Sequence, residues 1–194
     1  MKRVFKNLTE FIEALDKAGE LVRISKEVDP VLEITEITDR VSKMPNGGKA
    51  LLFENVRGSK IPVLINAFGS DRRMAMAMGE ETVDAAAKKI GELLAIKGIP
   101  KDLKGKVRLL GQLYDLSRIP PRMAASGPCQ EIILKDHFSL SIFPALKCWP
   151  HDGGRFITLP LVFTKDPETG DRNVGVYRMH VYDDRSTGMH WQTQ

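Results

Sequence analysis

The sequence predicts an α+β protein in two parts, on three observations. Apolar residues recur at helical spacing through much of residues 1–112, and short β-branched runs interrupt that pattern. From residue 131 onward, strand-type runs separated by turn chemistry take over. The division therefore falls between an α+β domain, residues 1–112, and a β-rich domain, residues 113–194.

The elements follow in order. Asn7 caps a first helix whose third residue is Glu10, a variant of the capping box, and Leu8, Phe11, Ile12 and Leu15 share its inner face. Gly19 ends that helix and residues 21–24 form a strand. Asp29-Pro30 opens a second helix, with Pro at its first position and Val31, Ile34 and Val41 facing inward. Residues 50–53 and 61–65 are strands. Ser70 or Asp71 caps a third helix, where Met74, Met76 and Met78 read as adaptable core filler rather than a greasy channel. Glu80-Glu81 starts a fourth helix with Val83, Ala87, Ile90 and Leu94 on one face, closed by Gly98 and Pro100. The basic stretch at residues 101–108 reads as a solvated loop.

The second part carries Pro120-Pro121 and Gly127-Pro128, with few helix signals between residues 110 and 133. Strands are expected at 132–134, 138–143, 156–163, 173–182 and from 187 onward, separated by turns at Asp152-Gly153-Gly154, at residues 166–171 and at Asp183-Asp184. On the strand from residue 173, Asn173, Gly175 and Tyr177 alternate with Val174, Val176 and Arg178. A bulge or bend near Gly175 is then required to bring Asn173 and Arg178 to one ligand.

Composition removes several function classes. Hydrophobic residues make up 42% and charged residues 28%, which excludes a disordered or collagen-like chain. No apolar run approaches the ~20 residues of a membrane span, and the N-terminus lacks a signal-peptide core, so a cytoplasmic protein is expected. The net charge of +4 comes from dispersed lysines and arginines with no RNP-like or zinc-knuckle pattern, so no nucleic-acid partner is expected. Cys129 and Cys148 lack CxxC spacing and are expected to be buried or inert. Dinucleotide, P-loop, zincin and nucleophile-elbow motifs are missing, and His137, His151, His180 and His190 lack zinc spacing. Cys148-Trp149-Pro150-His151-Asp152 holds a thiol, an imidazole and a carboxylate, but neighbours in sequence rarely form a nucleophile–base pair; it reads as a turn with a half-buried Trp.

The run from Cys148-Trp149-Pro150 through Phe156-Ile-Thr158-Leu-Pro and Thr164-Lys-Asp166-Pro167 to Asn173-Val-Gly175-Val-Tyr177-Arg178, with Thr187-Gly188-Met189-His190-Trp191 after it, resembles the UbiD-like (de)carboxylases. The opening Leu8-x-Glu10-Phe11 helix and Gly19-Glu20-Leu21 resemble that family's N-terminus. The resemblance implies an α+β N-terminal domain followed by part of a flavin-reductase-like split β-barrel. It implies removal or addition of CO2 on an aromatic or α,β-unsaturated acid, in quinone biosynthesis or aromatic acid metabolism. Prenylated FMN would be the cofactor, its phosphate held by Mn2+ or Mg2+ and by K+.

Position by position, the resemblance makes Asn173 a metal ligand and Arg178 the catalytic arginine that grips the substrate carboxylate. Thr158, Val176, Tyr177, Arg178, His190, Trp191 and Gln192 would contact the flavin, with Asn173 reaching its phosphate through the metal and His190 as a second metal ligand. It further implies that the family's catalytic glutamates lie beyond residue 194, so that these 194 residues alone are expected to be inactive. The implied partners are a flavin prenyltransferase, a small aromatic acid and further copies of the chain in a homo-oligomer, with loose membrane association if the acid carries a lipid tail. A non-catalytic flavin-binding or accessory module is the alternative reading.

Overall fold

The computed structural model describes residues 5–95, 103–117, 120, 124–136 and 138–190. It is a mixture of helices and small sheets, as the α+β reading expects, and its residues gather into two compact units built from interleaved segments. One unit contains residues 1–17 and 70–133, the other residues 18–69 and 134–194.

In the first unit, α1 (Leu8–Lys17) buries Phe11 and Leu15. Its start is capped as expected: the Asn7 side-chain oxygen accepts from the Glu10 backbone N–H at 2.9 Å. The Glu10 carboxylate reaches back to the Lys6 N–H, one residue earlier than in the standard box. Ser70 caps α3 by accepting from the Arg73 N–H. In this helix (α3, Asp71–Ala77) Arg73 and Ala75 are the buried residues, while Met74 and Met78 sit on the exposed side, contrary to their reading as core filler.

The fourth helix, α4 (Val83–Leu94), begins two residues after Glu81, because the Thr82 hydroxyl accepts from the Ala85 N–H and provides the cap. Ala86 is its buried residue; Ile90 and Leu94, expected inside, are exposed, Leu94 by 80%. Gly98 and Pro100 lie outside the described residues. The basic stretch that read as a loop is largely helical, in α5 (Leu103–Ser117). The overlooked signal is Val107, Leu110 and Tyr114 at i, i+3 and i+7, a helical spacing whose side chains are exposed in this unit.

The second unit is organised by a three-stranded sheet in the order β1 (Leu21–Ile24), β2 (Ala50–Phe53), β3 (Val63–Ile65). β1 and β2 are parallel, β2 and β3 antiparallel. All four side chains of β2 are buried, as its uninterrupted apolar sequence requires. The helix α2 (Glu33–Ser42) starts three residues after Pro30 rather than at it. Asp29 instead forms a turn by accepting from the Val31 N–H, and Val31 pairs with Lys147 as an isolated parallel bridge. Val28, Ile34, Leu51, Phe53, Val56 and Leu146 form the core, with Ile37, Val41 and Cys148 packed against it.

The expected strands at 132–134 and 138–143 do not form; residues 140–142 make a short 3-10 turn. The expected strand at 156–163 divides into β4 (Arg155–Ile157) and β5 (Leu161–Lys165), with Pro160 between them. The next also divides, into β6 (Arg172–Val176) and β7 (Met179–Val181), and β8 (Thr187–Met189) follows. The strands β4, β7 and β8 form one antiparallel sheet, and β5–β6 a separate hairpin. In the hairpin turn the Asp166 carboxylate accepts from the N–H groups of Glu168 and Thr169, both at 2.8 Å, and Gly170 adopts φ +79°. No described helix is long and apolar enough to cross a membrane.

Two outcomes follow. Phe53→Ala removes a ring with no exposed surface from the core, and chemical unfolding should register a loss of about 3–5 kcal/mol. The Asp166 carboxyl is held below its ordinary value by the Thr169 and Glu168 N–H groups. A lowered folded value means that this contribution is complete above about pH 4 and disappears as pH falls through the lowered value. Amide exchange across residues 161–176 should therefore quicken selectively in Asp166→Ala at neutral pH. Exchange equal to that of the parent chain would show that the carboxylate does not hold the turn.

Candidate functional site around Arg178

Residues 172–176 of β6 pair with 161–165 of β5 in unbroken register, so there is no bulge at Gly175. The change of direction comes at Tyr177-Arg178 instead, where the chain leaves the hairpin and enters the β4–β7–β8 sheet. Gly175 has another role. A Cβ there would lie 2.4 Å from the Tyr177 ring, so its absence lets that ring lie over the strand.

Strict alternation holds as far as Val176. Asn173 is paired with Thr164, on the hairpin face that also carries Val162 and Gly175, and it is exposed. The opposite face presents Leu161, Phe163, Val174 and Val176, all exposed. Asn173 thus lies in the hairpin, whereas Arg178 lies in the two-residue link that leads into the other sheet.

Arg178 has well-defined partners. Its guanidinium carbon lies 3.7 Å from the centroid of the Phe156 ring. Phe156 is the cross-strand partner of His180 and stacks on it at 4.5 Å with 21° between the planes. His180 in turn meets Tyr182 at 4.7 Å, tilted by 59°. Arg178, His180 and Tyr182 are spaced by two along an extended strand, and β4 inserts Phe156 into their row. At the open end, Arg178 Nη2 lies 3.3 Å from Asp152 Oδ2, which also accepts from the Trp149 N–H at 3.1 Å. Asp152 is 16% exposed and Arg178 47%.

In the sequence Asp152 reads as part of a turn and Phe156 as part of a strand, neither as a partner of Arg178. The available signal was the turn Asp152-Gly153-Gly154 entering a strand whose second residue is Phe156. Trp149, expected half-buried, is exposed, as is Cys129. Cys148 is partly buried, and desolvation raises its thiol above the ordinary value; the nearby Arg178 charge opposes that shift and Asp152 adds to it. A cavity of about 410 Å³ opens between α2 and residues 148–150, lined by Val31, Leu32, Thr35, Glu36, Cys148 and Trp149. It contains none of the predicted site residues.

Of the remaining predicted residues, Thr158 lies exposed just after β4, Val176 ends β6, and His190 is exposed just after β8. Trp191 and Gln192 lie outside the described residues. Among the described residues, no group of three or more His, Cys, Asp or Glu side chains gathers to hold a metal. For a flavin, the exposed apolar end of β6 at Val176, followed within two residues by the Arg178 cation, suits a flat ring system that can carry negative charge.

Comparison with known proteins bears out the family resemblance. Residues 12–94 match the 3-octaprenyl-4-hydroxybenzoate carboxy-lyase N-terminal domain, and residues 122–194 match the Rift-related domain of the same carboxy-lyase. An uncharacterised protein of Aquifex aeolicus is 47% identical over 188 residues, which are 97% of this chain and 38% of that protein. The UbiD-class enzyme HmfF of Pelotomaculum thermopropionicum, solved with FMN, superposes with a TM-score of 0.75 at 26% identity, over 96% of this chain and 37% of that one. Vanillic acid decarboxylase of Sedimentibacter hydroxybenzoicus, in its closed form, gives 0.75 at 28% identity over 96% and 37%. The chain thus spans well under half the length of the relatives it matches. With both domain matches falling on one carboxy-lyase and covering most of its residues, the chain belongs to the UbiD family.

Proposed function

We propose that this chain supplies the N-terminal domain and the carboxylate-gripping strands of a prenylated-FMN-dependent carboxy-lyase acting on an aromatic or α,β-unsaturated acid. The observation that carries the proposal is Arg178, a half-exposed guanidinium with a fixed platform and a fixed anchor, placed where two sheets meet. A planar fork of N–H donors matches the geometry of a carboxylate, and fixing it in advance orients the bond to be broken.

In this reading Arg178 binds the acid and sets the direction of its carboxyl group. Thr158, Val176, Tyr177, Arg178, His190, Trp191 and Gln192 contact the flavin, and Asn173 and His190 contribute two donors to a divalent metal, Mn2+ or Mg2+, beside K+. When bound, the prenylated flavin supplies the electron sink for decarboxylation. The carboxylate loses its charge as CO2 departs, so an arginine that gripped it ever more tightly would favour the ground state; orientation is the useful contribution. The division at residues 112 and 113, and closure of residues 113–194 into part of a split β-barrel, belong to the same proposal. The antiparallel β4–β8 strands and the two domain matches support it. A flavin prenyltransferase as cofactor supplier, a homo-oligomeric assembly and a role in quinone or aromatic acid metabolism complete it.

The test is to purify the intact protein from cells that also express a flavin prenyltransferase, and to incubate it with vanillic, 4-hydroxybenzoic and cinnamic acids. Mass spectrometry of the released cofactor should show prenylated FMN, and at least one acid should release CO2. Arg178→Gln should retain the flavin and lose about 100-fold or more in turnover. Turnover in Arg178→Gln equal to the parent, or a protein that takes up no flavin, would remove the basis of the proposal.

A further inference from the structure

We infer that Asp152 and Phe156 are positioning residues for Arg178, a role that rests on the reading of Arg178 as the carboxylate-binding arginine. The two constrain different freedoms of one side chain. Phe156 backs the guanidinium, whose carbon lies 3.7 Å over the ring centroid, and so limits its tilt. Asp152 takes one donor, Nη2, at 3.3 Å, which limits its rotation. A guanidinium carries five N–H donors, so a single long contact leaves the fork able to meet a second carboxylate. A bidentate grip by Asp152 would instead have consumed the edge that a substrate needs.

Both supports are themselves held. Asp152 is largely buried and is fixed by the Trp149 N–H through the same oxygen that meets Arg178. Phe156 is clamped from its other side by His180, which rests against Tyr182. Gly154 belongs to the same device. A Cβ there would lie 2.5 Å from His180 Nε2, so the turn between the two supports can pass over the His180 ring only without a side chain. Residues 152–156 thus carry the anchor, the gap and the platform within five positions.

An ion pair this exposed on the arginine side adds little to folding stability, so its effect should appear in orientation. The intact flavin-loaded protein is assayed with the acid it turns over fastest, and benzoate serves as the binding probe, followed by the change in flavin absorbance. Asp152→Ala and Phe156→Leu should each lower kcat by about 10- to 100-fold, with the benzoate dissociation constant changed less than threefold. Phe156→Tyr, which keeps an aromatic face, should recover most of what leucine loses. Arg178→Gln should instead weaken benzoate binding by more than tenfold.

Thermal midpoint and flavin content serve as folding controls. If Asp152→Ala fails them, Asp152→Asn, of the same shape without the charge, carries the same expectation. Unchanged kcat in both the Asp152 and the Phe156 variants, with Arg178→Gln inactive, overturns the positioning role alone. So does loss of benzoate binding in Asp152→Ala as deep as in Arg178→Gln. An Arg178→Gln protein as active as the parent overturns this inference together with the function on which it rests.

Discussion

Residues 146–148 are stitched to the segment before α2 by bonds that leave them almost no freedom. The Lys147 N–H donates to the Pro30 carbonyl at 3.2 Å, and the Lys147 carbonyl accepts from the Leu32 N–H at 3.0 Å. Thr35 adds its hydroxyl, bonded to the carbonyls of both Leu32 and Cys148. Leu146 enters the core formed around β2, and its carbonyl accepts from the Phe156 N–H. One short stretch therefore ties the buried sheet to β4, and everything around Arg178 inherits its position from that tie. The two bonds around Lys147 also explain why α2 starts late. Val31 and Leu32 cannot be helical while they pair sideways, and Leu32 takes φ +69° as the residue before the helix.

The apolar surface is distributed unevenly for a reason visible in the hairpin. Leu161 faces Val176 and Phe163 faces Val174 in register, giving one face of four exposed apolar side chains, Phe163 by 71%. Cross-strand pairs of this kind stabilise a two-stranded ribbon, but a ribbon alone is marginal in water. The turn helps to close it, through Asp166 accepting two backbone N–H groups, and the pairing stops at Val176, just before Tyr177 packs back over Gly175. Asn173 occupies the other face of this ribbon, opposite Thr164, where a polar strand residue meets solvent.

What the sequence could disclose follows the range of the interactions. Local signals read correctly: Asn7 and Ser70 as caps, the strands at 21–24 and 50–53, and the turn at residues 166–171 all depend on neighbours within a few positions. The misreadings need distant partners. Pro30 looks like a helix start until Lys147, more than a hundred residues away, claims the following backbone. Ile90 and Leu94 show helical spacing, yet spacing alone does not say whether a face is covered. The α5 helix is masked in the sequence by Lys104, Lys106 and Arg108, which interrupt the apolar period that runs between them. At the candidate site, the motif points to Arg178, whereas Asp152 and Phe156 lie 26 and 22 positions upstream and reach it only because β4 pairs with β7.

The alternation along residues 173–178 is interrupted by a change of sheet rather than by a bulge. A bulge would have shifted the register of the whole strand beyond it, turning every later side chain to the other face. Transfer to a second sheet at Tyr177-Arg178 preserves alternation on both sides of the break. Val174 and Val176 keep one face of the hairpin, while Arg178, His180 and Tyr182 begin a new row against β4. Because that row starts with the arginine, the guanidinium sits at an end rather than in the middle of a stack, with an aromatic ring on one side and an open approach on the other. An interior place in the same row would have given it two aromatic neighbours and no open edge. The position at the break between two sheets therefore explains both why Arg178 is well supported and why it stays half exposed.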